Sequence, residues 1–463
     1  MQGYFTELSK YVIAVLAMVY TLCCYTVLTG KLKKNGSAYV LQNIMIFFVQ
    51  LLMFANLVIE SKDMEYVFFY IFVQIFLLAI SIMIPMIYEK VNRLLLTNMC
   101  MLLGIGLCMI SRLSFRKAVK QYVIALVSLA LTLFIPWALS RIRFLKKLTW
   151  VYGLTGITLL SVVLITGEVT HGSKISFTLW DVTFQPSEFV KIIFVFFLAG
   201  ALWEKADFLR VALTAAAAGI HVIVLVVSKD LGSALIFFIG YVFMVLAATG
   251  NYLYLLAGAA GGSGAALGAY RLFAHVRSRV LAWRDPWTYI DNQGYAITQS
   301  LFAIGSGSWF GMGLLRGNPT AIPFVDADFV FSSVCEELGV VFGICVILIT
   351  LSCFLEMLNM AALIKDRFYQ LIVYGIGIMY IFQIFLTVAG GVKLIPLTGV
   401  TLPFISYGGS SVMTTMIMFF IVQGIYIRLQ QEGGKVNDRR KSKKAARPGP
   451  GRRQKAGEQK SSR

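Results

Sequence analysis

Histidine is nearly absent from this 463-residue chain: His171, His221 and His275 are all it has, and they stand far apart. A histidine-ligated metal centre or a histidine-driven nucleophile therefore has little to be built from. Seven cysteines, Cys23, Cys24, Cys100, Cys108, Cys335, Cys345 and Cys353, all sit in apolar runs, with neither metal-site spacing nor a disulfide framework. No Walker loop, dinucleotide fingerprint or kinase signature occurs, so energy from nucleotide hydrolysis is not suggested. Charge is scarce as well. Only 14% of residues are charged, against roughly a quarter in soluble domains, and 22 acids face 41 Lys and Arg for a net charge of +19.

Apolar residues fill the space instead: 58% of the chain is hydrophobic and the mean hydropathy is +0.78. This is the composition of a polytopic membrane protein. Crossing a hydrocarbon core of about 30 Å takes about 20 apolar residues per helix, and the short alternating segments of a membrane barrel are missing. The predicted fold class is all-α, with thirteen spans near 11–29, 38–59, 66–87, 93–110, 120–139, 148–166, 187–203, 209–227, 231–249, 252–273, 329–354, 369–391 and 406–429. The first span ends without a small-residue cleavage site and another follows closely, so it is read as retained rather than as a signal peptide.

Lys and Arg concentrate on the cytoplasmic side of membrane proteins. Lys31, Lys33 and Lys34, then Lys90 and Arg93, then Arg141, Arg143, Lys146 and Lys147, fall on one face together with the C-terminal tail. That face is predicted to be cytoplasmic. The N-terminus and the long 274–328 loop are then outside, and the basic segment from Arg112 to Lys120 is an exception that points to an anionic ligand. The tail, 431–463, holds twelve Lys or Arg against three acids. It is expected to be disordered and close to anionic lipid rather than to bind nucleic acid.

Four clusters place charge, proline or glycine where a plain span has no use for them. Gln185-Pro186-Ser187-Glu188 is followed by Lys191, which falls on the same helix face as Glu188. Such a pair is either a buried register-setting ion pair or a functional intramembrane charge. Asp230 opens the ninth span, where an acid also suits the helix dipole. The outer loop carries Arg277, Arg279, Arg284, Gln299, Ser300 and several glycines and aromatics, and ends on Asp328, with Glu336 and Glu337 just beyond. Arginines there suit phosphate oxygens, and a carboxylate at the membrane boundary suits a general base. The last cluster, Pro403 to Ser411, breaks a helix mouth with Ser406, Gly408, Gly409 and Ser410.

Taken in order, Gln185-Pro-Ser-Glu188, Asp230-Leu-Gly232, Arg277-x-Arg279, Asp285-Pro286, Gln299-Ser300, Gly311-x-Gly313, Asp328-Phe-Val-Phe331, Glu336-Glu-Leu-Gly339 and Leu402-Pro-Phe-Ile-Ser-Tyr-Gly-Gly-Ser410 resemble the SEDS family of cell-shape, division and sporulation proteins, which includes RodA and FtsW. The resemblance implies a ten-helix catalytic core at 91–430 preceded by three extra helices within 1–90. It further implies a multi-pass protein of the bacterial cytoplasmic membrane that polymerises lipid II outside the cell, paired with a class B penicillin-binding protein. The reaction implied is inverting attack of a sugar 4-hydroxyl on the anomeric carbon of a lipid-pyrophosphate donor.

Carried over by position, the catalytic acid is Asp328. Arg277 and Arg279, with Arg284 and Lys393 behind them, face the pyrophosphate. Ser406, Gly408, Gly409 and Ser410 are substrate-side, and Glu188, Lys191, Asp230, Gln299, Glu336 and Glu337 are supporting residues. Where members often read Pro-Glu-x-His-Thr-Asp, this chain has Pro323-Phe-Val-Asp326-Ala-Asp328. Ser176 stands where a loop tryptophan is common, with Trp180 nearby. No cofactor is required; Mg²⁺ or Mn²⁺ assistance at the pyrophosphate is open, with no ligand set demanding it. Two other classes stay open: a lipid-precursor flippase or transporter, and a non-catalytic scaffold of the wall machinery.

Overall fold

The computed structural model describes residues 2–30, 36–142, 144–170, 173–179, 182–204 and 206–445. Lys31, Lys33, Lys34, Arg143, Trp180 and the last part of the tail, 446–463, lie outside the described residues. Helices dominate: α1 (Gln2–Leu28), α2 (Gly36–Ser61), α3 (Glu65–Ile87), α4 (Arg93–Leu113), α5 (Phe115–Thr132), α6 (Ile135–Arg141), α7 (Thr149–Thr166), α8 (Pro186–Leu202), α9 (Phe208–Val227), α10 (Leu231–Thr249), α11 (Tyr252–Leu272), α12 (Ala274–Arg284), α13 (Tyr295–Gly307), α14 (Val330–Leu338), α15 (Val340–Leu363), α16 (Arg367–Gly391) and α17 (Gly409–Ala445).

Among the described residues, eleven helices are long and apolar enough to cross a membrane, α5 and α6 together making one of them. Two of the thirteen expected spans fall outside that set. The 187–203 segment is α8, only 17 residues long, and 252–273 is α11, whose Gly258, Gly261, Gly262, Gly264 and Gly268 stand in place of larger apolar side chains. Local sequence sets many helix starts. Asn92, Asp230, Asn251 and Asp366 each accept a backbone N–H of the first turn, and Pro186 occupies the first turn of α8, where its missing N–H costs nothing.

Four features depart from the sequence reading. The expected 329–354 span is broken at Gly339, whose φ of 90° is left-handed, so α14 is a separate short helix and α15 begins anew. The 274–328 loop is not irregular throughout, because α12, α13 and a 3-10 turn at Pro319–Ala321 lie within it. Between α7 and α8 a small antiparallel sheet forms from β1 (Glu168–Thr170), β2 (Ser173–Leu179) and β3 (Val182–Phe184). It adds a minor strand element to an otherwise all-α architecture. Finally, α17 runs past the expected tail boundary at Gln431 to Ala445.

The centre of the bundle is α4, fully enclosed along its apolar length. Its flanks are α2, α3, α5 and α15. Lipid offers no hydrophobic drive between helices, so polar side chains supply part of the adhesion. Tyr20 Oη donates to Asn98 Oδ1 at 2.9 Å and Asn98 Nδ2 donates to Ser352 Oγ at 2.7 Å, linking α1, α4 and α15.

On the other side of the bundle, Lys191 Nζ lies 2.8 Å from Glu188 Oε2 and donates to Gln383 Oε1 at 2.7 Å, while Thr414 Oγ1 donates to the same glutamate oxygen. Lys191 is 1% exposed, so this pair and its two hydrogen bonds hold α8 to α16 and α17. Removing one partner leaves a buried, uncompensated charge. Lys191→Met should therefore cost about 3–5 kcal/mol and lower the thermal midpoint in detergent, with the Glu188→Gln, Lys191→Met double variant losing less. A single variant that melts with the wild type would refute the buried-charge account.

Candidate active site

The face of the bundle that carries the 274–328 loop is assembled around two adjacent carboxylates at the end of α14. Glu337 is fully buried and accepts from Arg112 Nε at 2.7 Å and from the Leu315 amide at 3.2 Å. Glu336 Oε1 accepts the Asn318 amide at 2.7 Å. Backbone bonds run beside them, from Met312 N to Glu336 O and from Gly313 N to Glu337 O. A carboxylate that satisfies backbone N–H groups across a chain separation fixes the loop's path while the loop removes the carboxylate from water. The supporting role expected of Glu336 and Glu337 thus takes the form of holding the 311–318 segment onto α14.

Asp328 lies two residues before that helix, half-buried. Its backbone is held from several sides. The Asp328 amide donates to Phe324 O at 3.0 Å, Ser406 Oγ donates to Ala327 O, and the Tyr407 amide donates to Asp326 O at 2.7 Å. Gln121 then ties the 402–408 turn to α5 by donating to Ser406 O and accepting from the Gly408 amide, both at 3.2 Å. Ser308, Leu315, Phe324, Lys393 and Phe404 all have positive φ, a conformation that non-glycine residues adopt only when their surroundings impose it. These strained positions are in the connections on the same face as Asp328.

The Asp328 carboxyl and the Arg279 guanidinium both approach Gly399. A Cβ on that glycine, whose φ is +75°, would lie 3.8 Å from both Arg279 Nη2 and Asp328 Oδ2. Arg279 Nη1 also donates to Thr398 O at 3.2 Å and Leu397 O at 3.4 Å, so the guanidinium is positioned by the connection between α16 and α17. Burial pushes the Asp328 carboxyl up to about 6, against the opposing pull of the Arg279 cation, with the Asp326 charge adding to the rise. A carboxylate tuned to that range is ionised near neutrality yet basic enough to accept a proton. Lys117 Nζ is 2.6 Å from Asp326 Oδ2 and 5.4 Å from the Tyr407 ring centre.

The remaining expected residues divide into two groups. Arg277 and Arg284 are exposed on α12 and have no side-chain partner among the described residues. Lys393 is partly exposed, and its carbonyl accepts from Trp283 Nε1 at 3.1 Å. These three are available to a ligand. Others are taken up in the fold. Asp230 caps α10 and accepts from Gln185 Nε2 and Ser187 Oγ, each at 3.2 Å. Ser410 accepts the Gln185 amide and donates to Thr183 O, while Ser406 and Gly408 brace the Asp328 segment as described, and Gly409 begins α17. Gln299 lies on α13 beside Ser300, and Ser300 makes the contacts, with Ser332 Oγ at 2.6 Å and Gly391 O at 2.7 Å. Among the described residues no group of three or more His, Cys, Asp or Glu side chains is placed to hold a metal ion.

The family profile FTSW_RODA_SPOVE, described as a cell cycle protein, matches residues 92–431. The chain belongs to this family. The RodA peptidoglycan glycosyltransferase of Mycobacterium tuberculosis is 32% identical over 363 residues, covering 72% of this chain and 77% of the relative. A probable peptidoglycan glycosyltransferase FtsW of Pseudoalteromonas translucida is 30% identical over 367 residues, covering 73% and 89%. Among solved structures, a peptidoglycan synthase complex coordinating polymerization and crosslinking superposes with a TM-score of 0.63 at 24% identity, covering 74% of this chain and 99% of that one. The rod shape determining protein RodA of Thermus thermophilus gives 0.55 at 24% identity, covering 73% and 96%. These likenesses establish the FtsW/RodA fold for the portion from α4 onward; α1 to α3 precede the family match.

Sequence reasoning missed Lys117, Arg112 and Gln121 as parts of this FtsW/RodA-type site. A signal was present, since the basic 112–120 segment stood out as an exception to the charge rule, and its Arg112 and Lys117 are bound by the acids Glu337 and Asp326.

With Asp328 as the candidate base, its carboxyl pushed up to about 6, activity should fall as pH drops through about 6. Arg279 favours the ionised form, so Arg279→Met should move that acid limb to higher pH in a polymerisation pH profile. A limb that stays in place would remove Arg279 from the tuning of Asp328. Stability runs the other way. A carboxyl raised by burial contributes most below its unfolded value, 3.8, and that contribution is lost as pH rises through about 6. Asp328→Asn should therefore unfold at a higher temperature than wild type at pH 8, with the gap closing near pH 4.

Proposed function

We propose that this protein is a peptidoglycan glycosyltransferase that polymerises lipid II into glycan strands at the outer face of the bacterial cytoplasmic membrane. The observation that carries the chemistry is the placement of Asp328 beside Arg279 in the outer loops, with its carboxyl pushed up to about 6. Asp328 takes the proton of the attacking sugar 4-hydroxyl. The oxygen closes on the anomeric carbon of the donor from the face opposite the pyrophosphate, and the configuration inverts. Negative charge grows on the departing lipid pyrophosphate, where the exposed Arg277 supplies positive charge, with Arg284 and Lys393 within the same group of loops. Arg279, already bonded to two carbonyls, orients the acid and adds to the positive field. No step is routed through a divalent cation.

Catalysis is favoured over transport by the fate of the intramembrane charges. Glu188, Lys191 and Asp230, which a transport path would expose in turn, are committed to fixed partners inside the bundle. The topology we propose has thirteen crossings, α8 and α11 included, with the C-terminus cytoplasmic and the N-terminus outside. In support, Arg316 of the outer loop is 3.1 Å from Glu7 near the start of α1, so the N-terminus and the catalytic loop share a face. A class B penicillin-binding protein is the proposed partner for crosslinking, on family resemblance.

The decisive comparison is polymer formation from purified lipid II by the detergent-solubilised protein, with and without a class B penicillin-binding protein. Wild type should make polymer. Asp328→Asn should lose about 10²- to 10⁴-fold in turnover, the range of a general base, while eluting as a folded monodisperse species. Near-normal turnover by that variant would sink the assignment of the base.

A further inference from the structure

Two of the three helices before the family match, α1 and α2, touch the loop at 310–316. Arg316, in the loop pinned by Glu336 and Glu337, reaches out of the core. Its Nη1 is 3.1 Å from Glu7 Oε1 of α1 and its Nη2 is 3.2 Å from Glu60 Oε1 of α2. Thr6 Oγ1 donates to the same Glu60 oxygen at 2.8 Å, and its methyl lies 3.0 Å from where a Cβ on Gly313 would sit. The Tyr11 ring meets Phe310 at 5.1 Å between centroids. Loop residues 310, 313 and 316 are thus each covered by a residue of α1, and Arg316 is shared with α2.

The helices that make these contacts are themselves fixed. Ser9 and Asn56 hydrogen-bond each other across α1 and α2. Tyr20 and Cys24 both bond to Asn98 of α4, and Tyr25 Oη donates to Leu348 O of α15. Intramembrane hydrogen bonds of this kind set the rotation and depth of a helix against its neighbours. Glu7 and Glu60 are therefore presented from a rigid base.

We infer that α1 and α2 form a clamp on the catalytic loop, and that Glu7 and Glu60 are positioning residues for glycan polymerisation, acting through Arg316. The path is short. Leu315, next to Arg316, gives its amide to Glu337, and Asn318 gives its amide to Glu336. Those glutamates belong to α14, which begins two residues after Asp328. Ion pairs this exposed contribute little to global stability, so the clamp acts on the loop's position and not on whether the bundle folds. The role assigned to polymerisation rests on the proposed function, whereas the clamp itself does not.

The test has two readouts on the full-length protein: polymer formation from lipid II, and hydrogen exchange of the 310–318 amides. Arg316→Gln should speed exchange in that segment and lower kcat about tenfold or more, the scale expected when a reacting group is misplaced, with KM and the thermal midpoint nearly unchanged. The charge-swapped pair Glu60→Arg, Arg316→Glu should recover most of both, where Arg316→Glu alone does not. Exchange in Arg316→Gln that matches wild type would overturn the clamp. Faster exchange with turnover inside twofold of wild type would overturn the positioning role. If wild type itself makes no polymer, the glycosyltransferase reading fails, and the exchange arm still decides the clamp.

Discussion

The loop face around Asp328 depends on acidic side chains being withdrawn from water and given other partners. Glu336 and Glu337 could not sit buried at the end of α14 without the loop amides and the Arg112 guanidinium that bond to them. The exchange is mutual. The 311–318 segment, with Gly311 and Gly313 both at positive φ, has no helix or strand of its own to satisfy its backbone, and the glutamates and α14 carbonyls provide those partners. One set of bonds both offsets part of the cost of two buried acids, whose Oε2 atoms have no partner among the described residues, and gives an irregular loop a single path.

Asp328 is treated differently, and the contrast is chemical. Its neighbours Asp326 and Ala327 have their carbonyls captured by Tyr407 and Ser406, and Asp326 has Lys117. The backbone is therefore rigid up to the acid. The Asp328 carboxyl is left half-buried beside Arg279, with burial raising its pKa and the cation holding it in check. An acid fully neutralised by an ion pair would be too weak a base, and one buried without a cation would stay protonated. The intermediate state is the one suited to proton transfer near neutral pH.

The bundle beneath serves as a scaffold by the same rule applied in lipid. The Glu188–Lys191 pair with Gln383 and Thr414, and the Asn98 links among α1, α4 and α15, are polar contacts with all partners inside the protein. In hydrocarbon the alternative to such a partner is an unsatisfied group. Helix α1 is joined to the core by the Asn98 links and α2 by Thr97 Oγ1 donating to Gln42 Oε1, which is how residues outside the family match come to touch the 310–316 loop.

Spans were legible from the sequence because crossing a bilayer demands a run of apolar residues of set length, and neither property depends on neighbours. The departures came where that demand is weak: the Gly339 break, the glycine-rich α11, the strands between α7 and α8. The order of motifs from Gln185 to Ser410 was likewise sufficient to indicate the family. Tertiary structure alone decided how the polar residues are used. Arg112 and Glu337 are 225 positions apart, Lys117 and Asp326 209, and Arg316 and Glu60 256. A local pattern can mark such residues as out of place, but which acid meets which cation follows from how the helices pack, and with it whether Ser406 or Asp230 faces a substrate or braces the protein.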